Sequence, residues 1–174
     1  MDALLALLGG GDRRMVRGVA DVVRSVRTNM SLLSALVDGL TNPDPKVRMR
    51  CADALEKLTI DDAAPLQAHR AALLRLAETT TQQELRWHLC QILPRLRLTA
   101  AQRARAAALA VRWQADPGRI VRTFALQALA DLASQDVTLR PIALAALRGA
   151  ETTGTPAMRA RARKILKDWS TEQP

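Results

Sequence analysis

Residues 41–58 read TNPDPKVRMRCADALEKL, and residues 115–132 read ADPGRIVRTFALQALADL. Both open on a turn rich in Asp and Pro and continue with apolar residues at helical spacing. Counting from Val47, the offsets +4, +7, +8 and +11 hold Cys51, Ala54, Leu55 and Leu58; counting from Val121, they hold Ala125, Ala128, Leu129 and Leu132. At about 100° per residue these positions share one narrow face, so each stretch is an amphipathic helix with a buried side.

The same pattern recurs from Met15 (Val19, Val22, Val23, Val26), Leu85 (Leu89, Ile92, Leu93, Leu96) and Met158 (Ala162, Ile165, Leu166, Trp169). The five anchors are spaced 32, 38, 36 and 37 residues apart. Between them lie further helical stretches: a short Ala3–Leu8, then Ser31–Leu40, Asp62–Glu78, Ala100–Gln114 and Asp136–Arg148. Short breakers join the members of each pair. They are Gly9-Gly10-Gly11-Asp12, Thr41 to Pro45, Thr79-Thr80-Thr81, Asp116-Pro117-Gly118 and Gly154-Thr155-Pro156. Asp and Thr before a helix cap its amides, and Pro suits the first helical position. The expectation is an all-α, right-handed α-solenoid of about five helix pairs in one domain, with repeats near 1–28, 29–60, 61–98, 99–134 and 135–170.

Composition agrees. Of 174 residues 48% are apolar, only 2% are aromatic (Trp87, Trp113, Phe124, Trp169), and tyrosine is absent. Ala and Leu dominate over β-branched residues, which favours helix. The apolar runs are too short to cross a bilayer. The N-terminal apolar stretch follows Asp2 and no basic segment, so it reads as a helix and not as a signal peptide. A cytoplasmic monomer is expected, with Cys51 and Cys90 as buried free thiols.

The Asp-Pro turn followed by Val-Arg in TNPDPKVRMRCADALEKL and ADPGRIVRTFALQALADL resembles the HEAT-repeat family. LRWHLCQILPRL (85–96) and MRARARKILKDW (158–169) fit that frame more loosely, and MVRGVADVVRSV (15–26) least, because Val16 stands where Arg is expected. The resemblance covers nearly the whole chain. It implies a scaffold and no single activity.

One position after each anchor stand Arg48, Arg86, Arg122 and Arg159. The resemblance implies a structural ladder in which such arginines meet Asp residues of the preceding turns. Six residues earlier stand Asn42, Thr80, Asp116 and Thr153, of which one is an acid. Either other carboxylates such as Asp44 and Glu84 take part, or some guanidiniums face a ligand.

Offsets +2, +5, +6 and +9 lie away from the core stripe and are expected to line an inner binding face. They give Arg17, Asp21 and Arg24; Met49, Asp53 and Glu56; Trp87, Cys90, Gln91 and Pro94; Thr123, Leu126 and Gln127; and Arg163, Lys164 and Lys167. The binding candidates are Trp87, Gln91, Thr123, Gln127, Arg163, Lys164 and Lys167. An outward Trp is a natural interface anchor, or it tucks against a neighbouring helix. Pro94 removes one helical hydrogen bond and either shapes a pocket or bends the helix.

The net charge of +9 is unevenly placed: residues 1–98 contribute +3, and residues 99–174 contribute +6 (12 basic, 6 acidic). Arg159, Arg161, Arg163, Lys164 and Lys167 crowd the last helix, as a patch for acidic partners or as a polar terminal cap. No nucleophile setting, P-loop or zinc set is present; His88 and Cys90 form an isolated pair, and no metal or cofactor is expected. The expected function is non-enzymatic binding of a partner protein, with acidic character, along the inner face. Nucleic acid is the alternative partner. A lesser alternative is a HEAT-like alkylpurine DNA glycosylase, for which Trp87 and Asp131 would be the candidates.

Overall fold

The computed structural model describes residues 2–9 and 18–171. Met15, Val16, Arg17 and the Gly10-Gly11-Asp12 part of the first turn lie outside the described residues. Among those described there are ten α-helices and no strand: α1 (Asp2–Leu8), α2 (Val19–Thr28), α3 (Leu33–Asp38), α4 (Pro45–Asp61), α5 (Arg70–Thr79), α6 (Gln83–Ile92), α7 (Ala100–Trp113), α8 (Arg119–Gln135), α9 (Arg140–Thr153) and α10 (Pro156–Thr171). They form two compact units, residues 1–97 and 98–174.

In the first unit α4 packs between α2 and α6, while α1 and α3 lie on α4, and α5 lies on α6. In the second, α8 packs against α7, α9 and α10, and α9 also lies on α10. The apolar stripe accounts for these contacts. Val47, Cys51, Ala54 and Leu55 of α4, Leu85, Leu89 and Ile92 of α6, and Val121, Ala125, Ala128, Leu129 and Leu132 of α8 are all buried. Met158, Ala162, Ile165 and Trp169 of α10 are buried as well; Leu58 and Leu166 are half-buried. Each fully buried Leu or Val is worth about 1.5–3 kcal/mol of transfer free energy. The stripe therefore supplies far more than helix propensity could.

Local signals set the boundaries. Asp44 caps α4 by accepting from the Lys46 amide at 2.8 Å, and Pro45 occupies the first turn. Thr99 and Gln102 form a reciprocal capping box at α7. Three of the other first-of-pair stretches begin with a 3-10 turn initiated by a short acceptor: Asn29 to the Ser31 amide, Asp62 to Ala64, and Asp136 to Thr138. Those side chains compete with α-helical bonding, so Met30–Leu32, Ala64–His69 and Val137–Leu139 are 3-10 where sequence spacing implied continuous helix.

Pro94 ends α6. The chain continues as the 3-10 turn Leu93–Arg95, so α6 has 10 residues where α4 and α8 have 17. Proline here stops a helix instead of bending one. The following residue, Arg95, thereby reaches α4.

Candidate functional site

The arginine ladder is built on backbone carbonyls. Arg48 donates from Nη1 to the Asn42 carbonyl at 2.7 Å and from Nε to Gln82 Oε1 at 2.7 Å. Arg86 donates from Nε to the Thr80 carbonyl at 3.1 Å, and Arg159 from Nε to the Gly154 carbonyl at 2.8 Å. The position six residues before Arg48 and Arg86 does serve as the partner, but through its carbonyl. Its side chain is therefore free to be Asn or Thr. Gln82 extends the lattice by donating from Nε2 to the Pro45 carbonyl at 2.9 Å.

Arg122 differs. Its Nε is shielded from water and has no hydrogen-bond partner, and its side chain lines a pocket with Gln114, Gly149, Thr153, Gly154 and Thr155.

The expected inner face is narrower than the sequence implied. Glu56, Cys90, Pro94 and Leu126, at offsets +5 and +9, are buried and do not line an open surface. The reason is lateral packing within each unit: α4 has α2 on one flank and α6 on the other, and α8 lies beside α10. In the second to fourth repeats the remaining offsets, +2 and +6, hold Met49, Asp53, Trp87, Gln91, Thr123 and Gln127, all half-buried, while Asp21 and Lys164 of the first and last repeats are exposed. Gln91 donates to the Trp87 carbonyl at 3.2 Å, and Thr123 to the Arg119 carbonyl at 3.1 Å. Gln127 donates to Asp131 at 2.6 Å and accepts from Arg161 at 2.9 Å. The Asp131 carboxylate considered for a glycosylase is thus tied to Gln127.

Between α4 and α6 lies a polar cluster. Arg95 donates to Glu56 Oε1 at 2.7 Å, to the Glu56 carbonyl at 2.9 Å and to Thr59 Oγ1 at 3.0 Å. His88 is buried, its ring 5.6 Å from that of Trp87, and its Nδ1 has no partner. Burial pushes the His88 pKa down to about 4, against the opposing pull of Asp53, Glu56 and Glu84. A neutral imidazole follows at pH 7. Cys51 is fully buried, and its thiol is pushed up to about 12 by desolvation. Both cysteines are free and buried. No group of three or more His, Cys, Asp or Glu among the described residues is arranged to hold a metal. An apolar cavity of about 220 Å³ in the first unit is lined by Met30, Leu33, Leu55, Leu58, Pro65 and Leu66, with the Arg27–Asp61 ion pair among its walls.

In the second unit some basic residues are held by partners and others stand exposed, among them Arg119, Arg148 and three on α10. Arg103 pairs with Asp136 at 3.1 Å, Arg140 stacks 4.7 Å over Trp169, and Arg161 is held by Gln127 and lies 5.9 Å from the Phe124 ring. Hydrogen bonds from Thr138 and then Arg103 hold the Asp136 carboxyl below its ordinary value. Arg163, Lys164 and Lys167 are exposed on one side of α10. Their side chains make no hydrogen bond or ion pair with any described residue.

No protein-family model matches the chain, and no curated protein matches it. Among solved structures it is similar to a crystal structure of an engineered protein, at 17% identity and a TM-score of 0.68, over 98% of this chain and 79% of that one. That likeness concerns the helical fold alone. No helix among the described residues is long and apolar enough to cross a membrane.

Proposed function

We propose that the chain is a non-enzymatic interaction protein, built of HEAT-like helix pairs, that docks an acidic segment of a partner protein on the exposed face of α10. One observation carries this reading: the side chains of Arg163, Lys164 and Lys167 stand exposed and in no ion pair with any described residue. Elsewhere Arg48, Arg86, Arg95, Arg103, Arg159 and Arg161 are committed to hydrogen bonds within their own unit. Like charges at i and i+4, here Arg163 and Lys167, cost a helix about 0.2–0.5 kcal/mol. An acidic partner relieves that repulsion. The HEAT-like reading draws support from the five-fold recurrence of the buried stripe and from the arginines that close the turns.

A partner protein is favoured over single-stranded nucleic acid because α10 offers no stacking platform. Its one aromatic, Trp169, is buried beneath Arg140. In the first unit, Trp87 and Gln91 supply a separate half-buried contact face.

The test is fluorescence anisotropy with a labelled decaglutamate peptide and, in parallel, a labelled DNA duplex. The reading expects saturable peptide binding that weakens as salt screens the α10 charges. Duplex binding at the same salt that exceeds peptide binding would replace it with nucleic-acid recognition.

A further inference from the structure

We propose that the pocket at Arg122 is a binding site for a single carboxylate group. It lies wholly within the second unit, where Gln114 just after α7, Arg122 of α8, Gly149 and Thr153 of α9, and Thr155 before α10 line about 340 Å³. Three arginines occupy the equivalent place after their anchors, and each donates to a carbonyl of its own turn. Arg122 does not. Its Nε is withdrawn from water without a partner, as are those of Arg70 and Arg103. Those two guanidiniums each make another hydrogen bond. That of Arg122 makes none with a described residue, an arrangement that proteins rarely leave uncompensated.

The other lining groups add donors and no acid. Thr155 Oγ1 accepts from the Met158 amide at 3.3 Å, which leaves its hydroxyl proton to give. Gln114 donates one amide hydrogen to the Ala110 carbonyl at 3.4 Å and keeps its second. Thr153 donates to the Gly149 carbonyl at 3.0 Å and contributes only lone pairs. A planar guanidinium with two neutral donors matches the two oxygens of a carboxylate. One positive charge balances one negative charge, whereas a phosphate dianion would stay half uncompensated.

The space beside Gly149 is open. A Cβ built on this residue meets no atom within 4 Å, although glycine inside α9 weakens that helix. The carboxylate comes either from an Asp or Glu of the partner segment or from a free small acid. The first source rests on the proposed docking function, and the second does not.

Nuclear magnetic resonance of the full chain tests the site through the Arg122 Nε–Hε resonance. Sodium acetate, sodium phosphate and N-acetyl-aspartate amide are titrated at an ionic strength held constant with chloride. The expected result is a saturating shift with acetate of both the Arg122 Nε–Hε resonance and the backbone amide of Thr155, which also lines the pocket; Arg159→Gln retains both shifts, and Arg122→Gln loses that of Thr155. Gly149→Glu should weaken acetate at least tenfold by filling the pocket, and Gly149→Ala should leave the resonance responsive and the helix intact. Tighter binding of the aspartate amide than of acetate assigns the site to a partner side chain, and the reverse assigns it to a free acid. An Arg122 resonance that acetate moves no more than chloride does, or that phosphate saturates at lower concentration, overturns the proposal. Failure of peptide docking on α10 would leave these shifts untouched.

Discussion

The buried imidazole of His88 makes stability depend on pH in a defined window. In the folded chain its pKa is pushed down to about 4 by burial; unfolded, it returns to 6.5. Between these values the unfolded state binds a proton that the native state refuses, so stability falls as the pH drops from about 6.5 to about 4. Below about pH 4 both states are protonated, and this contribution stops changing. The interval corresponds to about 3 kcal/mol, since each pKa unit is worth about 1.4 kcal/mol. Asp53, Glu56 and Glu84 face the ring and oppose the effect, while Lys57 adds to it. The assay is urea denaturation across that range for the native chain and for His88→Gln, which keeps the size and polarity but cannot titrate. The carboxylates contribute to both curves, so the difference isolates the histidine. The native chain should lose about 2–3 kcal/mol more than the variant on going from pH 7 to 4.5. Parallel curves, or a His88 resonance titrating near 6.5 in the folded protein, would refute the reasoning.

Three further outcomes follow from the packing. Arg95→Ala should cost about 2–3 kcal/mol, because it strips a charged hydrogen bond from the carboxylate of a Glu56 that is 9% exposed, a second from the Glu56 carbonyl and a third from Thr59 Oγ1. A double-mutant cycle with Glu56→Ala should show a coupling of at least about 1 kcal/mol, and additivity of the two substitutions would contradict the pair. Gly39→Ala should destabilise by about 1–3 kcal/mol, since an added Cβ would come within 2.8 Å of Leu5 Cδ2 and press on Cys51 Sγ; thermal unfolding measures it. Native Cys51 should resist a thiol-specific disulfide reagent at pH 8 and react only on unfolding, and rapid native labelling would exclude the burial described.

The core stripe was legible in the sequence because one face of every second helix meets its own first helix at fixed offsets. What lies on the flanks was not, since lateral neighbours bury them: Leu126 looks surface-facing from its offset and is fully enclosed. Arg50 makes the point more strongly. A charged residue with no apolar periodicity is completely buried because its guanidinium reaches the Leu8 carbonyl at 2.7 Å, where a cation suits the end of α1. The turn caps carry a readable trace, in that Asn29, Asp62, Thr99 and Asp136 recur 33, 37 and 37 residues apart. The ladder arginines were visible as a series. Whether each is bonded depends on which carbonyl comes within reach in three dimensions, which no spacing of residues reveals for Arg122.

The central claim is that the basic face of α10 is a docking surface and not merely a solubilising cap. Reversing it with Arg163→Glu, Lys164→Glu and Lys167→Glu together, and measuring decaglutamate affinity beside the thermal midpoint, decides between the two. The account predicts that peptide binding falls at least tenfold while the midpoint stays within a few degrees of the native value, because none of the three side chains has a partner to lose. Unchanged peptide binding by the folded triple variant would contradict it.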